Sequence, residues 1–154
     1  MKPLNPSCGY TGLQGIIYQR QKRIVERFEA MDELERFDYL MAMSLSKSHE
    51  ADDGQRSSKH YIHGCQAGLW VQAKWRDREL IIAAGSDAML VTALANLIIS
   101  AVKGCSAEEI AGAEIDFFNA PSFKGLLSGE TAASLKNMVD FIKAGAALAL
   151  RKHM

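Results

Sequence analysis

Leu69-Trp-Val-Gln-Ala-Lys-Trp-Arg-Asp-Arg-Glu-Leu-Ile-Ile-Ala-Ala-Gly-Ser-Asp-Ala-Met-Leu-Val91 changes its hydrophobic period twice, and those changes decide the fold. Leu69, Val71, Ala73 and Trp75 alternate with Trp70, Gln72 and Lys74, the two-residue period of a half-buried strand. Arg76-Asp77 turns the chain, and Leu80, Ile82 and Ala84 alternate on a returning strand. The pattern predicts a small antiparallel hairpin, 69–74 against 79–84. Gly85-Ser86-Asp87 ends it, and from Ala88 the period becomes helical to about Val102, with Ser86 as the expected cap. Lys103-Gly104 supplies the glycine that commonly follows a helix.

Helical patterns flank this unit on both sides. Residues 1–15, with Pro3, Pro6, Gly9, Gly12 and Gly15, read as an irregular arm before a single domain over 16–154. From about Ile16 a helix places Ile24, Val25, Phe28 and Met31 on one face. Asp32 with Glu35 forms a capping pair for a second helix whose apolar face carries Leu34, Phe37, Leu40 and Met41. Residues 44–59 are polar and read as a loop. Ser106-Ala-Glu-Glu109 is a capping box for a short helix, and 117–124, containing Pro121, reads as irregular or briefly helical. A last helix from roughly Thr131 buries Leu135, Met138, Val139, Ile142 and Ala146. The predicted fold is α+β: a small antiparallel sheet packed against several helices.

Composition narrows the function classes. The 154 residues are 48% hydrophobic, enough for one core without disulfide or metal staples. Eighteen basic residues balance eighteen acidic ones, which argues against nucleic acid or an anionic membrane as the main partner. Arg20-Gln-Lys-Arg23 is a local basic stretch soon followed by Glu26 and Glu29, and reads as a solvated helix face. Met1-Lys-Pro-Leu-Asn-Pro-Ser7 lacks the apolar region of an export signal. The most apolar segment, 88–102, is short for a bilayer span and carries Thr92, Asn96 and Ser100 as a polar stripe. A cytoplasmic protein with three reduced thiols is expected.

Of those thiols, Cys8 lies in the arm and Cys105 just past a helix end, where each reads as a tolerated small residue. Cys65 follows Gly64, stands a few residues before the first strand and has His60 and His63 close upstream. Glycine there lets backbone and thiol stand clear of packed side chains. The spacing leaves several readings open. Cys65 could be a buried core residue. Its thiolate could attack carbon with His60 or His63 as base. It could ligate a metal with both histidines, although His-x-x-His-x-Cys matches no established zinc spacing. It could also accept sulfur by exchange chemistry, which needs no oxyanion hole.

Tyr61-Ile-His-Gly-Cys-Gln-Ala-Gly-Leu-Trp-Val71 resembles the Gly-Cys-Gln-x-x-Val-Trp core of SufE-type proteins, acceptors of sulfur from cysteine desulfurases. Gly85-Ser-Asp-Ala-Met-Leu-Val91 is similar to that family's Gly-x-Ser-Asp-Ala-x-Ile-Val, and Ser106-Ala-Glu-Glu-Ile110 to its Thr-Pro-Glu-Glu-Ile. The resemblance implies a fold shared with iron–sulfur scaffold proteins. It implies that Cys65 receives persulfide sulfur from a cysteine desulfurase and hands it to an iron–sulfur assembly scaffold. By position, Gln66 and Asp87 match the motif glutamine and aspartate. No cofactor is expected in this chain, since pyridoxal phosphate belongs to the desulfurase.

The pattern also departs from the family. Thr131 stands in the place of an arginine and Gly129 in that of a proline within Leu127-Ser-Gly-Glu-Thr-Ala-Ala-Ser-Leu135. Thr92 replaces a usual lysine, Ala67 a serine and His60 an asparagine. Fewer cations would stabilise a thiolate or persulfide less, and His60 and His63 could compensate in part when protonated. The leading expectation is a sulfur relay that stimulates a desulfurase without being an enzyme itself. The alternative is a metal-binding or cluster-scaffold protein using Cys65 with His60, His63 and Asp87.

Overall fold

The computed structural model describes residues 12–45, 69–76, 79–86 and 88–152. The expected loop over 44–59 falls almost wholly outside them, as do Asp77 at the expected turn and Asp87.

Two strands, β1 (Trp70–Arg76) and β2 (Glu79–Gly85), pair antiparallel with Trp70 opposite Gly85 and Arg76 opposite Glu79. The hairpin is the one expected, each strand reaching a residue or two beyond the alternating core. Leu69, Val71, Leu80 and Ile82 are buried, so the alternating side chains do face the interior.

Among the described residues six helices accompany the hairpin: α1 (Gly12–Glu29), α2 (Glu33–Ser44), α3 (Met89–Val102), α4 (Ala107–Ala111), α5 (Pro121–Lys124) and α6 (Gly129–Lys152). The architecture is α+β, as predicted. No helix of the described residues is long and apolar enough to cross a membrane.

Helix α3 is the centre of the core. Val91, Leu94, Leu97, Ile98 and Val102 are buried on several sides of it, as in a helix surrounded by other elements. Its polar stripe is tied down: Asn96 Nδ2 donates to the Met43 carbonyl at 2.7 Å, joining α3 to the end of α2. The helix closes on a type II turn. Lys103 has φ −57° and ψ 130°, Gly104 has φ +77°, and Cys105 N–H donates to the Val102 carbonyl at 3.0 Å. Glycine is needed because other residues rarely adopt that φ.

Both capping boxes form. Asp32 and Glu35 exchange bonds with each other's backbone N–H at 2.8 and 2.9 Å. Ser106 and Glu109 do the same at 3.2 and 2.8 Å. Helix α6 buries Leu135, Met138, Val139, Ile142 and Ala146 as expected, and starts slightly earlier than Thr131. Ser128 Oγ accepts from Thr131 N–H at 3.1 Å and so caps its first turn.

Four local expectations require correction. Helix α1 begins at Gly12, about one turn inside the stretch read as an arm. Ser86 does not occupy the capping position of α3, which falls to Ala88 without a side-chain bond. Ser86 acts two residues earlier, its Oγ accepting from Ala88 N–H at 3.1 Å and its carbonyl from Thr92 Oγ1 at 3.2 Å. On α2 the apolar residues divide: Leu40 is buried, whereas Leu34, Phe37 and Met41 face outward. Arg20 and Gln21 are not part of a solvated face. Gln21 is 6% exposed; its Nε2 donates to the Glu114 carbonyl at 2.7 Å, and its Oε1 accepts from Asp116 and Phe117 N–H at 2.8 and 3.1 Å. It therefore pins α1 to the segment 113–116 that leads into a 3-10 turn at Phe117–Asn119.

Candidate functional site

The residues singled out for chemistry are Cys65, His60, His63 and Gln66, with Asp87 downstream. All five lie outside the described residues. What the structure supplies is the frame on which the two motifs are strung. The chain from Cys65 enters the sheet at Trp70, whose register partner is Gly85. Gly85 in turn leads through Ser86 into α3. One end of the hairpin thus receives the segment after the Gly-Cys-Gln motif and emits the Gly-Ser-Asp motif.

The β2-to-α3 junction is held by local bonds. The Ser86 contacts to Ala88 and Thr92 tie the start of α3 to the chain leaving β2. Thr92 is thereby a structural residue of this junction. Thr131 has a comparable use: Ser128 Oγ lies 3.0 Å from its Oγ1 in the first turn of α6. Neither threonine supplies a positive charge.

Cys105 has a different environment. It is 3% exposed, and Arg20 Nη1 reaches its Sγ at 3.5 Å. Burial pushes the Cys105 thiol above its ordinary value of 9.0. The nearby Arg20 guanidinium opposes that shift, and the Glu109 carboxylate adds to it. A buried thiol kept protonated is a poor nucleophile.

The described residues also hold a cleft of about 550 Å³ between segment 114–119 and α6. Ile115, Phe118 and Val139 contribute apolar surface, and Lys136, Asp140 and Lys143 charges. Lys136 and Asp140 already pair at 3.2 Å. Among the described residues no group of three His, Cys, Asp or Glu side chains is placed to hold a metal. The histidines and cysteine of the alternative metal reading lie outside them.

Residues 22–146 match the SufE family, described as an Fe-S metabolism associated domain. The chain belongs to the SufE family. The match spans the hairpin, both capping boxes and all but the last turns of α6, and it includes Cys65 and Cys105 but not Cys8. An uncharacterized SufE-like protein of Synechocystis is 25% identical over 122 residues, covering 79% of this chain and 76% of its own length. The solution structure of a hypothetical protein from Thermus thermophilus is similar in fold, with a TM-score of 0.66 at 17% identity. That similarity covers 86% of this chain and 96% of the Thermus protein. An association with iron–sulfur metabolism follows from the family.

Proposed function

We propose that this SufE-family chain is a sulfur acceptor and relay whose working atom is Cys65 Sγ. The observation that carries the reading is the Gly64-Cys65-Gln66 motif inside the matched residues 22–146, in order with Gly85-Ser86-Asp87 and Ser106-Ala-Glu-Glu109. The other thiols support it by contrast. Cys8 precedes the matched region, and Cys105 is buried with its proton held.

The chemistry is one exchange. The Cys65 thiolate attacks the outer sulfur of a persulfide on the active-site cysteine of a desulfurase. A sulfur–sulfur bond forms on Cys65, the bond to the enzyme's own sulfur breaks, and the enzyme's thiolate leaves with the electron pair. The outer sulfur carries its proton across, so no external oxidant or reductant enters. An attacking thiol with a pKa near the ambient pH is well suited to this step, and an unperturbed cysteine qualifies without strong activation. His60 and His63 would favour the thiolate when protonated, in place of the cations absent at Thr92 and Thr131. Gln66 and Asp87 are assigned supporting roles by their positions in the motifs.

The partners under this reading are a cysteine desulfurase, which contains the pyridoxal phosphate, and an iron–sulfur assembly scaffold, which receives the sulfur. The work is cytoplasmic. The chain itself needs no cofactor. Its test is incubation with a cysteine desulfurase and cysteine, followed by intact-mass and peptide mass spectrometry for added sulfur on Cys65.

A further inference from the structure

Helix α2 presents an apolar ridge to solvent. Leu34 is 69% exposed, Phe37 48%, Met41 38% and Leu45 73%. At 3.6 residues per turn these four fall within an arc of about 80°. The rest of the helix surface does the packing: Leu40, to one side of the ridge, is buried, Tyr39 stands 6.4 Å from the Phe28 ring, and Arg36 lies over that ring at 5.0 Å. The ridge therefore contributes little to the core. A contiguous row of four large apolar side chains is more than the scattered surface hydrophobics of a monomer.

Charge says what kind of partner covers it. The whole chain is neutral, but residues 26–45 carry six acids, Glu26, Glu29, Asp32, Glu33, Glu35 and Asp38, against Arg27 and Arg36. Arg36 is already engaged, its Nε donating to the Phe28 carbonyl at 2.8 Å. Glu33 and Asp38 are exposed and flank the ridge on its two sides. Such a surface repels phosphate, which disfavours nucleic acid and anionic lipid. A second copy would set one acidic patch against another.

We infer that the Leu34–Phe37–Met41–Leu45 ridge docks a cationic amphipathic helix of a protein partner, one whose apolar row is flanked by Lys or Arg. The apolar row supplies the buried contact, and the acidic flanks supply orientation and association rate. The inference is independent of the sulfur reading, because no residue of the ridge takes part in the exchange at Cys65.

The test is a nuclear magnetic resonance titration of the full ¹⁵N-labelled chain with an 18-residue amphipathic helical peptide of Leu and Lys. The same peptide with Glu replacing Lys serves as control. The account predicts shifts centred on α2 with the Lys peptide alone, weakening as salt rises. Replacing Phe37 and Leu45 with serine should weaken binding about tenfold or more, with the rest of the spectrum unchanged. The inference is overturned by shifts away from α2, by equal binding of the Glu peptide, or by no binding. It is also overturned if light scattering shows that the chain self-associates through α2.

Discussion

Arg20, in the middle of α1, reaches across to Cys105 beyond the end of α3. Its Nη1 lies 3.5 Å from the Cys105 sulfur, 2.7 Å from the Lys103 carbonyl oxygen and 3.2 Å from that of Ala101. A cation at a helix C-terminus satisfies carbonyls left without intrahelical partners and complements the helix dipole. Arg20→Ala should therefore cost about 1–2 kcal/mol in urea unfolding, with the denaturant slope unchanged. Arg20→Lys should recover only part of it, because the lysine side chain is one atom shorter and its ammonium does not reach the position of Nη1.

Gln21→Leu removes one donor and an acceptor shared by two backbone N–H groups. The change leaves Glu114, Asp116 and Phe117 backbone groups without their partner, at a cost of about 2 kcal/mol or more. Faster amide hydrogen exchange at Asp116 and Phe117, with α3 amides still protected, would mark the defect as local to that joint.

Gly104→Ala tests the turn after α3. Nothing lies within 4 Å of where the added Cβ would stand, so crowding is not the penalty. The positive φ alone should cost about 1 kcal/mol, read as a small fall in melting temperature.

Cys105 should stay unmodified by iodoacetamide in the native protein at neutral pH and react once the chain is unfolded. Its raised value also has a thermodynamic sign. Between the ordinary value of 9.0 and the higher native one, the folded state holds a proton that the unfolded state has released. Stability from this group is complete below pH 9 and falls as pH rises through the native value. Cys105→Ala should flatten that alkaline fall, as measured by urea midpoints on either side of pH 9.

Much of the fold was legible because its determinants are local. The Leu69 and Leu80 alternations, the Asp32/Glu35 and Ser106/Glu109 boxes and Gly104 each express a rule that acts over a few residues. The misreadings have a different origin. Periodicity groups Leu34, Phe37, Leu40 and Met41 on one side of α2, but only the tertiary neighbours decide which of them turn inward. The basic stretch at Arg20 gave no sign that Arg20 and Gln21 would meet backbone some 80 to 95 residues away. For the site, motif order identified the family, since Gly-Cys-Gln, Gly-Ser-Asp and Ser-Ala-Glu-Glu follow one another in the family's order. Spacing carries no side-chain geometry, and the residues from His60 to Gln66 lie outside the described structure. Their roles are proposals resting on chemistry and family membership.

The measurement that bears most directly on the central claim compares the parent chain with Cys65→Ser, each incubated with a cysteine desulfurase and cysteine. The serine hydroxyl is nearly isosteric with the thiol but stays protonated near neutral pH, so it removes the nucleophile while sparing the shape. Parent protein should gain sulfur on the peptide containing Cys65 and raise desulfurase turnover. Cys65→Ser should do neither while keeping its melting temperature, and Cys8→Ser and Cys105→Ser should match the parent. Persulfide on Cys8 or Cys105 with Cys65 unmodified, or full stimulation by Cys65→Ser, would contradict the account.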